Sequence, residues 1–133
     1  MKGETDLLIM IKGMKPILNK GEYVFASVKD TSSIDRKFTL CEFKEKEGTT
    51  IVIERDKANA LNLNYEFVAA WISLTIHSSL EAVGLTAIFS TELAKFGISS
   101  NIIAGYYHDH IFVDIKDAKK AIKVLTDLSK NYK

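Results

Sequence analysis

A chain of 133 residues, 47% of them apolar and 26% charged, has room for one ordinary domain or two very small ones, and it can build a core without disulfides or metal. Lysine and arginine number 18 against 17 acidic residues, a net charge of +1 that lacks the basic excess of a general nucleic-acid binder. The lone cysteine, Cys41, excludes an intrachain disulfide and a cysteine-built zinc site, and no stretch approaches the roughly 18 to 20 apolar residues of a membrane span.

Taken in chain order, Asp6 to Met14 reads as a short helix, because Leu7, Met10, Ile11 and Met14 share a face and Gly13 and Pro16 mark its end. The apolar run Leu7 to Ile11 is too short for a signal-peptide core. With reduced cysteine usage, this gives a cytoplasmic expectation. Lys15 to Gly21 reads as a loop and Tyr23 to Val28 as a strand, with Val24, Ala26 and Val28 on one side. Asp30 to Lys37 is a polar loop. Phe38 to Phe43 and Thr50 to Glu54 make a hairpin across the charged segment Lys44 to Thr49. A short helix follows from Asp56, a candidate N-cap, to Leu61.

Tyr65 to Ile76 reads as one strand with an unbroken apolar face of Val68, Ala70, Ile72, Leu74 and Ile76. Twelve residues span roughly 40 Å, about twice the usual strand, so this element can serve two repeats. Leu80 to Phe96 is the strongest helix, with Ser78 or Ser79 as N-cap and Gly97 just beyond its end. It carries two apolar stripes. The lighter one contains Leu80, Val83, Gly84, Ala87, Ile88 and Ala94; the bulkier one contains Ala82, Leu85, Phe89, Leu93 and Phe96. Such a helix calls for cover on a second side, from a sister repeat or another subunit. Strands at Ile98 to Gly105 and His110 to Ile115 and an amphipathic helix at Asp117 to Lys130 complete the chain.

The element order predicts an α+β chain of two tandem ferredoxin-like (βαββαβ) repeats with antiparallel sheets, divided as residues 1–64 and 65–133. The stretch WISLTIHSSLEAVG from Trp71 to Gly84, the Gly97-Ile-Ser segment and AGYYHDHIFV from Ala104 to Val113 resemble the ACT domain. Gly21-Glu-Tyr-Val-Phe25 extends the resemblance to the first half, and the chain is similar to a family of short bacterial proteins made of two ACT-like domains.

The resemblance implies binding of an amino acid or another small effector, action in pairs as a homodimer, and regulation of a separate protein without catalysis or cofactor. Where many ACT domains carry an Asp-x-Pro-Gly-type turn, this chain reads His77-Ser-Ser-Leu80, with glycine only at Gly84. That departure motivates the alternative of a ligand-free interaction and dimerisation module.

The expected effector site combines His77, Ser78, Ser79, Leu80 and Gly84 with Asn101, Ile102, Ala104 and Gly105. Serines at a strand-to-helix turn offer backbone N–H groups and a helix dipole to a carboxylate, or simply cap the helix. Glycine at position 84 costs roughly 1 kcal/mol inside a helix, so a close ligand or backbone should accompany it. The resemblance draws Asn101, Ile102, Ala104 and Gly105 into the lining, while Gly105 by itself is equally a bend. His108, Asp109 and His110, with His77, could in principle ligate zinc; surface or packing roles for the histidines and a turn-shaping role for Asp109 are the simpler reading. Cys41 has no activating base near it in sequence, so a structural thiol is expected. Trp71, Tyr65 and Phe67 read as packing residues.

Overall fold

The computed structural model describes residues 6–75 and 83–133. Asp6 opens the first helix, α1 (Leu7–Gly13): its carboxylate accepts the backbone N–H groups of Leu8 at 3.0 Å and Ile9 at 3.2 Å. That satisfies two of the donors a helix start leaves unpaired. A strand, β1 (Pro16–Leu18), follows where the sequence reads as loop. Three residues are too short a run to show alternation, and its partner lies far along the chain, at Ile72 to Leu74.

The remaining elements are β2 (Tyr23–Val28), β3 (Thr39–Lys44), β4 (Thr49–Glu54), α2 (Arg55–Ala60), β5 (Val68–Leu74), α3 (Leu85–Lys95), β6 (Ser100–Ala104), β7 (Asp109–Asp114) and α4 (Ala118–Asn131). Single 3-10 turns occupy Arg36–Phe38 and Ile115–Asp117. Strand β5 is shorter than its apolar pattern predicts. Asp56 lies in the first turn of α2, with Glu54 at the cap position and no side-chain capping bond.

The chain forms two compact units, and they do not coincide with the halves 1–64 and 65–133. The smaller unit is Lys20–Ala69; the larger joins the chain up to Asn19 with the chain from Ala70 onward. In the smaller unit the strands run in the order β3, β4, β2, all antiparallel, and the opening residues of β5 continue the order, with Val68 opposite Val24 and Ala69 opposite Tyr23. Its core contains Val24, Ala26, Ile34, Ile51, Ile53 and Ala58. This is the βαββαβ pattern with the first helix reduced to the 3-10 turn Arg36–Phe38.

In the larger unit the strand order is β1, β5, β7, β6. The sequence β5–α3–β6–β7–α4 supplies five parts of the same pattern, and β1 takes the sixth place beside β5, pairing Pro16 with Leu74 and Leu18 with Ile72. The inward residues of β5 alternate as predicted: Ala70, Ile72 and Leu74 pack with Met10 and Ile11 of α1, Phe89 and Leu93 of α3, Ile111 and Val113 of β7, and Ala121 and Leu125 of α4. Burying each large side chain in this cluster contributes on the order of 1.5–3 kcal/mol. Ser129 ties the ends together, its hydroxyl donating to the carbonyls of Lys12 (3.2 Å) and Met14 (3.1 Å).

Helix α3 begins later than the sequence pattern places it. Gly84 is its N-cap, in the left-handed region at φ +92°, a conformation that glycine adopts without the Cβ penalty. The residue therefore starts the described helix instead of weakening its first turn. At the other end Gly97 is left-handed at φ +73°, the N–H of Gly97 donates to the Ala94 carbonyl and that of Ile98 to Leu93. This is the paired bond of a Schellman cap. Leu85, Phe89 and Leu93 of the bulkier stripe are buried, whereas Ala87, Thr91 and Ala94 are exposed and Val83 is 84% exposed. Among the described residues, no element covers this second side of the helix.

Candidate effector site

Strand β6 lies at the end of the strand order, with β7 alone beside it among the described residues. Asn101 is opposite Phe112 and exposed; Ile102 is opposite Ile111 and packs partly buried against the core; Ala104 is opposite Asp109 and exposed. Successive side chains of a strand point to opposite faces. Asn101 therefore belongs to the sheet face away from the helices and Ile102 to the helix side, so these two do not line a single face. Gly105 opens the β6–β7 turn, and its N–H donates to the His108 carbonyl at 2.9 Å. A Cβ on Gly105 would sit 2.8 Å from that carbonyl oxygen and 3.2 Å from Nε2 of His110, so the position requires glycine on steric grounds. His77, Ser78, Ser79 and Leu80 lie outside the described residues. Among the described residues, a Cβ on Gly84 would meet Leu7 Cδ1 at 3.4 Å, ordinary contact.

The face that carries Asn101 also holds a polar network in which the sequence reading saw only packing residues. The indole N–H of Trp71 donates to Nδ1 of His110 at 3.0 Å, with Ser73 Oγ at 3.2 Å from the same nitrogen. The Asn19 side-chain amide donates to Ser73 Oγ at 2.9 Å and to the Trp71 carbonyl at 3.2 Å. Residues 71 and 73 share a face by strand alternation, β7 brings residue 110 alongside, and the chain leaving β1 delivers Asn19. Because Nδ1 accepts, the proton of the neutral ring resides on Nε2. Burial, then the neighbouring His108, lowers the His110 pKa, and Asp109 opposes them.

A serine beside a histidine invites comparison with a nucleophile and its base. Such a base needs a free lone pair aimed at the hydroxyl. Here that lone pair already holds the Trp71 N–H, and the lowered pKa weakens the ring as a proton acceptor. The arrangement holds β5 to β7; it does not activate Ser73. His108 is exposed, Asp109 is 5% exposed and His110 half-buried; among the described residues no group of three or more His, Cys, Asp or Glu side chains is placed to hold a metal. Burial and Glu42 push the Cys41 thiol pKa up, the opposite of activation. Only the pairing of a serine and a histidine with a tryptophan across strands could have revealed the network in advance, and that pairing is a tertiary fact.

Solved structures share this architecture. A Vibrio cholerae protein of unknown function, described as a possible transport protein, superposes with a TM-score of 0.83 at 44% identity, covering 92% of this chain and 95% of its own. An Agrobacterium tumefaciens protein matches at 16% identity with a TM-score of 0.65, over 87% of this chain and 89% of that one. The regulatory subunit of aspartate kinase from Thermus thermophilus matches at 10% identity with a TM-score of 0.58, over 85% and 95% respectively; at that identity the likeness is one of fold. Among curated proteins none matches. No helix among the described residues is long and apolar enough to cross a membrane. ACT domain profiles match residues 2–70 and residues 66–127, and with both units built on the ferredoxin-like pattern the chain belongs to the ACT domain family, whose domains support small-molecule-binding regulatory roles.

Proposed function

We propose that this chain is a cytoplasmic sensor that binds an amino acid and passes the signal to a separate protein, without catalysis of its own. The observation that carries the reading is that two ACT domain profiles together span residues 2 to 127. The effector site proposed joins His77, Ser78, Ser79, Leu80 and Gly84, the segment leading into α3, with Ile102 and Ala104 on the helix side of β6 and with Gly105, while Asn101 lies on the other sheet face. Gly84 supports it, because a left-handed glycine at a helix cap leaves the backbone N–H groups of the first turn unshielded by a side chain.

A homodimer joined along β6 belongs to the same reading. The segment from Gly97 through His108 holds no charged residue, and an edge strand without lysine, proline or bulge is a template for pairing. The opposite edge of the strand order, β3, is guarded by contrast: it has a register shift between Thr39 and Cys41, and Glu42 is bonded to Arg36. The test is a thermal-shift screen against the amino acids. A bound effector at about 100 times its Kd adds roughly 2.7 kcal/mol. A rise in Tm with one amino acid, lost on Ser79→Ala, supports the reading; no shift with any of them overturns it. The exposed Val83, Ala87 and Ala94 of the lighter stripe favour the second reading, a dimerisation module with no effector. In that case the dimer persists and the screen is silent.

A further inference from the structure

The helical side of the larger unit carries a groove that neither the core nor the effector reading uses. It runs between α3 and α4. One stretch of about 440 Å³ is lined by Phe96, Leu128 and Tyr132, and adjoining stretches continue it past Val124 and past Ile88. The floor is apolar. Val124 and Leu128 are core residues, and Ile88 and Tyr132 pack partly buried against the same core. Phe96, the residue that closes α3, leaves 47% of its surface exposed.

The rim is charged, and unevenly so. Its two carboxylates, Glu92 and Asp127, are each paired with a lysine of their own helix, Lys95 at 3.3 Å and Lys123 at 2.9 Å. Lys120 reaches across to the Phe96 carbonyl at 2.7 Å, and Lys133 lines the wide end. With Lys95 and Lys123 paired to the two carboxylates, Lys120 and Lys133 are the lysines in excess on the rim. The rim's side chains thus carry a formal charge of +2, four lysines against two carboxylates.

A concave apolar floor with an exposed aromatic anchor and a positive rim selects its occupant by shape and charge together. An amphipathic helix with an apolar stripe and Asp or Glu on its flanks meets all three features. A second copy of this chain would set lysine rim against lysine rim, which costs energy instead of returning it. A flat anionic surface would leave the concavity unfilled. We propose that the α3–α4 groove docks an acidic amphipathic helix of a separate protein. This goes beyond the effector reading and does not depend on it, because docking is measured with no effector present.

The probe is a fluorescein-labelled synthetic helix of about four turns, with leucine at a spacing of three and four residues and glutamate between, read by anisotropy against the full chain. The control replaces every glutamate with lysine. The glutamate helix is expected to saturate, and Phe96→Ala, an exposed truncation, to weaken it about tenfold. The double variant Lys120→Glu with Lys123→Glu is expected to lose the glutamate helix and gain the lysine helix, with an unchanged melting curve showing that it is folded. The proposal is overturned if the glutamate helix does not saturate, or if both helices bind alike. Vesicles of phosphatidylglycerol binding with the same dependence on Phe96 would assign the groove to a membrane surface. Sedimentation showing a dimer dispersed by Phe96→Ala would assign it to a second copy.

Discussion

Trp71 and His110 are joined by one hydrogen bond, 3.0 Å from indole nitrogen to Nδ1, with ring centres 5.7 Å apart, and that bond requires the histidine to be neutral. The lowered pKa of His110 fixes the sign of its pH dependence. A base whose folded pKa lies below the ordinary value of 6.5 contributes its full stability above 6.5. As pH falls below 6.5, the unfolded chain takes up the proton first, and stability declines until the folded ring is also protonated. Trp71 is the sole tryptophan, so its emission reports the event. Urea unfolding should weaken between pH 7 and the acid side of 6.5, with a parallel change in Trp71 emission. His110→Phe should erase that change and cost about 1 kcal/mol. An identical pH profile in the variant would remove His110 from the account.

Two glycines a few residues apart should respond differently to alanine. Gly97 has open space around a would-be Cβ but a left-handed backbone, so Gly97→Ala costs the conformational penalty alone, about 1 kcal/mol. Gly105→Ala drives a methyl into the His108 carbonyl oxygen and the His110 ring, at a cost of about 1–3 kcal/mol. It should also disturb Trp71 emission, which Gly97→Ala should leave alone. Equal effects on emission would contradict the tight packing of the turn.

Ser129→Ala removes a donor shared by the Lys12 and Met14 carbonyls. The expected loss is about 1–2 kcal/mol, larger than for an exposed serine. Hydrogen exchange should show faster opening of α1 in the variant, with the smaller unit unaffected. Uniform acceleration everywhere would mean that Ser129 does not act locally.

Asn101→Lys places a charge on an exposed position of the β6 edge. Lysine on an edge strand blocks pairing with another chain. Sedimentation should show a proposed dimer reduced to monomer, with Tm changed by only a few degrees. A dimer that survives the substitution would move the seam elsewhere.

Most of the secondary structure could be read from the sequence because its signals are local. Strand β2 follows the alternation of Val24 and Ala26, and α4 follows the spacing of Ala118, Ala121, Leu125 and Leu128. The readings that shifted depend on distant partners. Pro16–Leu18 becomes a strand only because Ile72 to Leu74 pair with it. Gly84 looks like a flaw inside a helix until its φ shows it to be the cap. For the site, the sequence named Asn101, Ala104 and Gly105 one by one. It missed the network of Asn19, Trp71, Ser73 and His110, because no short-range pattern links residues from two strands with the residue that follows a third.

The placement of β1 dictates an order of assembly. The smaller unit is one unbroken stretch, so a growing chain holds all of it once residue 69 has emerged. The larger unit needs its opening segment kept in reserve until α4 arrives, with Ser129 closing onto a carbonyl 117 positions earlier. Non-local closure of this kind is slow, since loop entropy is lost before any contact compensates. During synthesis, the nested unit is therefore complete while the apolar side of α1 waits uncovered, and this interval is when the protein is most exposed to chaperones and to aggregation.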